Sequence, residues 1–577
     1  LLDGMLWMNG TDHQVPQPWL GQVVAEANSL QDDYRLEVTS LAEYVASAPV
    51  EGLPSWTGEL RSGSRSNLLM GVGSNRVDVK QAAARTERAL ERRAEPLSAL
   101  FLPAGRWPGR LLELAWREVI RNSAHDSICA CSADEAVAAV LARYAEARQV
   151  AEGLASRAVE AVAGSMASAG VVVVNPSARP RGGLIEVLLP GDGPVEGAQV
   201  LGARTATLAE HRLAASELGG ILGQIRSQQL DDDTYVNAIR VEETDEGFDI
   251  VIEADARLRT EFLVEEAKRD LYARAGAAPD APVRVRIEQP PSRRVLARVE
   301  DVPGFGWALW EVAPATCPPV VVDGSSMANG LVSVVVDAVD GTFSVDGVAG
   351  FDRLVDSLDC GDTYNYCPPE SDVVVDAPSG VSVSVVEAGP MRGRLRVERT
   401  FEWQGCSVLV ATVLELQAGE RCVRVHTTFD NPVGDHRLRT LFPVPDGPVS
   451  GSRAECAFAV VERGLTAEGG PTEFGLPTFP SRRFVQAGSL TVVHEGLLEY
   501  EVVDEGRALA LTLLRATGML SRVELAYRPL PAGPPMPLDG PQMLGRCEAR
   551  YAVCVGADVD PYALVDDVFL PLEVAVS

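Results

Sequence analysis

No apolar run in this 577-residue sequence is long enough to span a bilayer. The first residues also lack the basic stretch and small-residue cleavage site of a secretory leader. Neither a membrane partner nor export is therefore expected, and the default location is cytoplasmic. Positive charge is scarce: 51 Lys and Arg stand against 81 Asp and Glu. A formal net charge of -30 leaves nothing to offset a phosphate backbone, which excludes nucleic acid as a partner. The ten cysteines include no C-x-x-C pair and are too dispersed for a disulfide framework, as suits reduced thiols.

What is present is globular. Hydrophobic content of 46% and charged content of 23% are ordinary for a soluble protein, and the length calls for about three or four separate cores. The chain starts at Leu1, inside what reads as a strand and without an initiator methionine, so a fragment of a longer protein is expected.

The fold class expected is multidomain α+β. Residues 1–56 read as the C-terminal end of a β/α domain. Leu1 to Met8 is an apolar run delivering the polar residues Asn9, Thr11 and Asp12, as a buried parallel strand does at its carboxyl end. A helix at Trp19–Ala27, a strand at Tyr34–Val38 and a helix capped by Ser40 and Glu43 follow. Residues 57–165 read as a three-helix bundle, with helices at Gln81–Leu102, Arg110–Asn122 and Ala133–Val162, the first bent or broken at Pro96. Beyond Gly170 the pattern changes to short apolar stretches split by Gly, Pro, Asp and Asn, which read as antiparallel β-sandwich sheets. Strands are expected at Val171–Val174, Leu184–Leu189, Val283–Ile287, Val295–Val299, Val332–Val336, Val381–Val386 and Val408–Leu414, with a hairpin at Asp340-Gly341. A smaller β domain is placed at 166–325 and a large sandwich, truncated at its end, at 326–577.

The joint between the second and third helices holds the most suggestive polar pair. Leu112, Ala115, Trp116 and Val119 lie at i, i+3, i+4 and i+7, and Val137, Val140, Leu141 and Tyr144 repeat that spacing, so both flanks are helices with one buried face. Ser132 and Glu135 have the spacing of a capping box, which puts His125 and Asp126 just ahead of a helix start. An imidazole there is a potential metal ligand, and the adjacent carboxylate can orient it or accept hydrogen bonds from a substrate. Cys129 and Cys131 add no fourth ligand in a usual spacing and read as spectator thiols.

The stretch from Trp116 to Asp134 resembles the helix-to-helix junction of glycoside hydrolase family 38, the retaining α-mannosidases, and within it the bacterial branch that includes mannosylglycerate hydrolases. Further blocks are similar to that family in the same order: Met70 to Lys80, Asp301 to Trp310, Gly361 to Pro368, Asp430 to Arg439, Glu495 to Glu501 and Leu509 to Arg515. The resemblance implies a zinc-assisted retaining hydrolase of terminal α-mannosidic bonds, acting on an α-mannoside or mannosylglycerate-type substrate, and a homo-oligomer. It makes His125 a Zn2+ ligand, Asp126 a sugar contact and Asp12 the general acid/base. The nucleophilic aspartate and the remaining zinc ligands would precede Leu1, so this chain alone would be inactive.

On the residues themselves, Asp12 can equally make a turn with Asn9 and Gly10. Tyr364 can stack on a pyranose or sit half-buried in a sandwich. Arg437 and Arg439 alternate onto one strand face, where they bind a substrate carboxylate or phosphate or pair with surrounding acids. Ser74 and Arg76 read as a loop cap and a surface ion pair. Two rival functions remain. A metal-dependent phosphohydrolase would need further histidines, and the helical region has none besides His125. A non-catalytic carbohydrate-binding or scaffolding β-sandwich protein would need none.

Overall fold

The computed structural model describes residues 1–577 except 1–3, 11–13, 65, 168–169, 205, 232–233, 256–257, 259, 261 and 577. It divides into two units, residues 1–60 and 61–577.

Among the described residues of the first unit two helices form, Leu20–Leu30 and Leu41–Ser47. The second begins at the expected capping box: the Ser40 hydroxyl accepts the Glu43 N–H at 3.2 Å, and the Glu43 carboxylate accepts the Ser40 N–H at 3.0 Å. Among the described residues neither of the two expected strands forms. Tyr34–Val38 and the described part of the opening run carry no strand pairing, and Trp7 is 81% exposed. A buried parallel strand needs hydrogen-bonded neighbours, and no strand occurs among the described residues of this unit.

The second unit opens with the helical layer. Helix Val77–Ala89 runs through a π-helical turn, Leu90–Ala94, into Glu95–Phe101. In that turn the Glu95 N–H reaches back to the Leu90 carbonyl, and Pro96, expected to bend or break the helix, sits just after it. The wider turn relieves the clash a proline ring makes with the carbonyl four residues earlier. Helices Gly109–Asn122 and Asp134–Gly164 pack on this one, burying Leu112, Ala115, Val119, Val137, Val140 and Tyr144 in one cluster with Val79 and Leu90. Those are the faces that the spacing selects.

The strands follow. Val171–Val174 pairs antiparallel with Trp307–Trp310 on one side and with Glu573–Val576 on the other, so the last strand crosses the expected boundary at 326 to complete the small sheet. Not all pairing is antiparallel. Phe248–Asp255 and Pro282–Glu288 run parallel, joined by helix Val264–Ala277, because parallel neighbours need a crossover. The large sandwich sets a nine-stranded antiparallel sheet against a five-stranded one made of Arg353–Leu358, His436–Pro443, Ala508–Ala516, Glu499–Val503 and Thr478–Pro480. Its core is one cluster containing Trp403, Phe429, Phe442, Leu511 and Tyr551. The hairpin at Asp340-Gly341 links Ser333–Val336 to Phe343–Val345, with Gly341 at φ 73° in the left-handed region. Among the described residues, no helix is long and apolar enough to cross a membrane.

Candidate functional site

Helix Gly109–Asn122 ends at a buried Asn122, which donates to the Val140 carbonyl at 2.9 Å and accepts from Arg143 Nε at 2.6 Å. That clamp fixes where the chain leaves the bundle. One short helical turn, His125–Ile128, follows and carries the pair at its start. The His125 side chain is 92% exposed and that of Asp126 60%, with Nε2 and Oδ1 3.7 Å apart. Among the described residues neither side chain has a hydrogen-bond or ion-pair partner beyond this pair.

The backbone beneath them is held firmly. The Asp126 carbonyl accepts the Cys131 N–H at 3.1 Å, and Ala130 takes φ 56° to close the turn. Asn75 Nδ2 donates to the carbonyls of Cys129 and Ala130 at 3.2 and 2.9 Å. Lys80 Nζ donates to the Cys129 carbonyl at 2.7 Å. Burial pushes the Lys80 ammonium down to about 8, opposed by the neighbouring Cys131 and Cys129. Both thiols are free, and burial holds that of Cys131 up at about 11, so they are poor metal ligands in that state. The expected capping box at Ser132 is not made. The helix begins at Asp134, and the Ser132 hydroxyl donates instead to the Asp126 carbonyl at 3.3 Å, because the turn that carries the pair closes back onto it. Asp134 in turn accepts the N–H groups of Asp539 and Gly540, each at 3.1 Å.

Tyr364 meets this turn from the sandwich side. It packs with Cys131, Leu520 and Leu538. Burial pushes its hydroxyl up to about 12, with Cys131 and Asp126 adding to the rise, so it stays a hydrogen-bond donor beside Asp126. Its loop is pinned by two arginines that sequence reasoning missed. Arg515 donates to the carbonyls of Asp362, Thr363 and Gly71 at 2.7, 3.0 and 3.0 Å and to the Ser74 hydroxyl at 3.1 Å. Arg528 binds Asn365 Oδ1 at 2.6 Å and Asp362 Oδ2 at 2.5 Å. The Gly71 N–H closes the link onto the Tyr364 carbonyl at 2.8 Å. One signal was available: Arg515 is the lone cation in the apolar strand Ala508–Ala516.

Ser74 caps its loop as expected, closing the turn Met70–Gly73, but Arg76 is not at the surface, contrary to expectation. Ser74 is buried and donates to Glu499 at 2.7 Å, and Arg76 is buried against Asp78 at 2.8 Å. The Gly71–Asn75 segment thus ties the His125 turn, through Asn75, to the Tyr364 loop, through Gly71 and Ser74. Arg437 and Arg439 do share a face. Arg439 pairs with Glu501 at 2.7 Å, whereas Arg437 lies flat on Tyr366, its guanidinium carbon 3.5 Å from the ring centroid. Tyr364 is therefore brought against the turn that carries His125 and Asp126, with the arginine pair reached through Glu499 and Ser74. Asp12 lies outside the described residues.

A zinc site takes three or four protein donors. Among the described residues no group of three or more His, Cys, Asp or Glu side chains could hold a metal, so His125 and Asp126 do not by themselves make such a site.

Comparison with known proteins fits this arrangement. Residues 68–162 match the α-mannosidase middle domain, the bundle that carries the His-Asp turn. A protein of Halalkalibacterium halodurans provisionally named mannosylglycerate hydrolase is 23% identical over 566 residues, covering 89% of this chain. The chain spans 59% of that relative's length. An α-mannosidase structure from Enterococcus faecalis V583 superimposes with a TM-score of 0.70 at 19% identity, over 99% of this chain and 65% of its own. A second Enterococcus faecalis structure, described as a glycosyl hydrolase family 38 protein, gives 0.66 at 19% identity, over 99% and 66%.

Proposed function

From the assignment of this chain to glycoside hydrolase family 38, which its middle domain, its curated relative and its structural neighbours support, we propose that the intact protein hydrolyses terminal α-mannosidic bonds with retention. One observation carries the reading: an exposed His-Asp pair, on a turn fixed from below, stands beside a protonated tyrosine. An uncommitted carboxylate accepts hydrogen bonds from sugar hydroxyls, and a tyrosine offers a pyranose both an apolar face and a donor. Asp126 and Tyr364 take those roles here.

Retention calls for two carboxyl groups about 5 Å apart, one attacking the anomeric carbon and one moving the leaving-group proton. Asp12 is our candidate for the second. His125 is proposed as one imidazole donor to a zinc ion. The substrate proposed is an α-mannoside of the mannosylglycerate type, a small molecule met in the cytoplasm, with no nucleic acid or membrane involved.

Hydrolysis of a chromogenic α-mannoside by the intact protein, before and after chelation and zinc replacement, tests this. Release of the chromophore that falls on chelation and returns with zinc is expected. Activity indifferent to chelation removes the metal role, and no activity removes the hydrolase.

A further inference from the structure

Arg437 is 5% exposed, yet none of its side-chain nitrogens makes a hydrogen bond among the described residues, and its Nε is sealed from solvent without an acceptor. The only carboxylate near it among the described residues, Glu499, is 3.9 Å from Nη1. That carboxylate is already engaged, accepting from Ser74 at 2.7 Å and Thr512 at 2.8 Å. Arg439, two residues on, has given one nitrogen to Glu501, and its own Nε is likewise buried without a partner. A buried cation with unmet donors costs free energy unless something supplies the acceptors.

The geometry says what would. The guanidinium carbon lies 3.5 Å from the Tyr366 ring centroid, and the group's planar fork of N–H donors, uncommitted among the described residues, is matched to two oxygens of an oxyanion. Tyr527, close enough for Arg437 to pull on its hydroxyl, stacks on Phe474, which is 53% exposed. Tyr366 is two residues from Tyr364, so one pinned loop serves both the sugar side and the arginine side.

We propose that Arg437, with Arg439 beside it, is an oxyanion site and that, resting on the mannosidase reading, it takes the carboxylate of an acidic aglycone such as glycerate. The sugar would then meet Asp126 and Tyr364 while the acid group docks on Arg437.

The test compares two substrates on the intact protein, a neutral aryl α-mannoside and an α-mannoside with a carboxylate on its aglycone, for wild type, Arg437→Met and Arg437→Lys. Calorimetric titration of the wild type with D-glycerate and with inorganic phosphate accompanies it. A charge-assisted pair predicts that Arg437→Met raises KM for the acidic substrate about ten- to a hundredfold more than for the neutral one, with partial recovery in Arg437→Lys. D-glycerate should bind and compete. Equal losses on both substrates, or no preference for the acidic one in wild type, overturns the site. Binding of phosphate without glycerate overturns the carboxylate assignment. If Arg437→Met fails to fold, wild-type competition decides: no inhibition by D-glycerate overturns the site. Glycerate binding without hydrolysis of either substrate sinks the mannosidase reading and leaves the site standing.

Discussion

Arg515 Nη1 lies 3.0 Å from Asp359 Oδ2, and both side chains are fully buried. Burial raises the Asp359 carboxyl and the Arg515 charge opposes that rise, as do the N–H groups of Cys367 and Gly361. The pair joins the Tyr364 loop to the entry of the helical layer, since Arg515 also holds Gly71 and Ser74.

Removing the cation leaves a buried carboxylate without its counter-charge, which typically costs about 3–5 kcal/mol. Arg515→Met is accordingly expected to lower the urea midpoint of the second unit strongly. A midpoint shift equivalent to under about 1 kcal/mol, the scale of an exposed ion pair, would show that the joint is not structural.

Gly533 is the wall against which the Tyr364 hydroxyl rests: a Cβ there would lie 2.8 Å from that oxygen. Gly533 has no left-handed φ, so alanine is tolerated by the backbone and only the ring must give way. Gly533→Ala should leave the melting temperature within about 2 °C, a shift below 1 kcal/mol, while raising KM for α-mannosides. An unchanged KM would place Tyr364 outside substrate reach.

His494 is buried, its Nε2 2.9 Å from the Ser481 hydroxyl and its Nδ1 without a partner. Burial alone holds its pKa down at about 3. The unfolded chain therefore binds a proton between about pH 6.5 and 3 that the folded chain refuses, so stability should fall with pH across that window, by up to about 1.4 kcal/mol per unit for this group. Denaturation midpoints of wild type and His494→Gln from pH 7 to 4 check it. The variant should lose less on acidification, and parallel curves would contradict the assignment.

Lys80 supports the turn under His125 through one 2.7 Å bond to the Cys129 carbonyl. Lys80→Met keeps the stem and removes that bond. Faster amide exchange is expected at residues 125–132, the Cys131 N–H above all, with exchange in helix Asp134–Gly164 unchanged. Equal protection in both forms would show that Asn75 suffices.

Much of the framework was legible because it rests on local pattern. Val171–Val174 is a strand at the bounds its valines mark, and the Asp340-Gly341 turn requires the positive φ that glycine supplies. The buried faces of Gly109–Asn122 and Asp134–Gly164 follow from spacing alone. What escaped depends on partners distant in sequence. Tyr34–Val38 has strand composition and, among the described residues of its unit, no strand to pair with, Glu573–Val576 finds its partner about 400 residues back, and the parallel pair at 248 and 282 is masked by hairpins around it. At the site, the sequence singled out His125, Asp126 and Tyr364, and Tyr364 packs against Cys129 and Cys131 of the turn that carries the pair. Arg515 and Arg528, which place Tyr364, were not singled out, because a lone arginine beside an apolar strand does not reveal its acceptors until the loop at 359–367 is folded over it.

The most direct measurement is the rate of α-mannoside hydrolysis by the intact protein carrying Asp126→Asn or His125→Ala, each shown folded by its melting temperature. Both residues are exposed, so the fold should be unaffected. If the pair works on the sugar, kcat/KM should fall by about a hundred- to a thousandfold, the scale of losing one transition-state contact. Rates within about twofold of wild type would contradict the account.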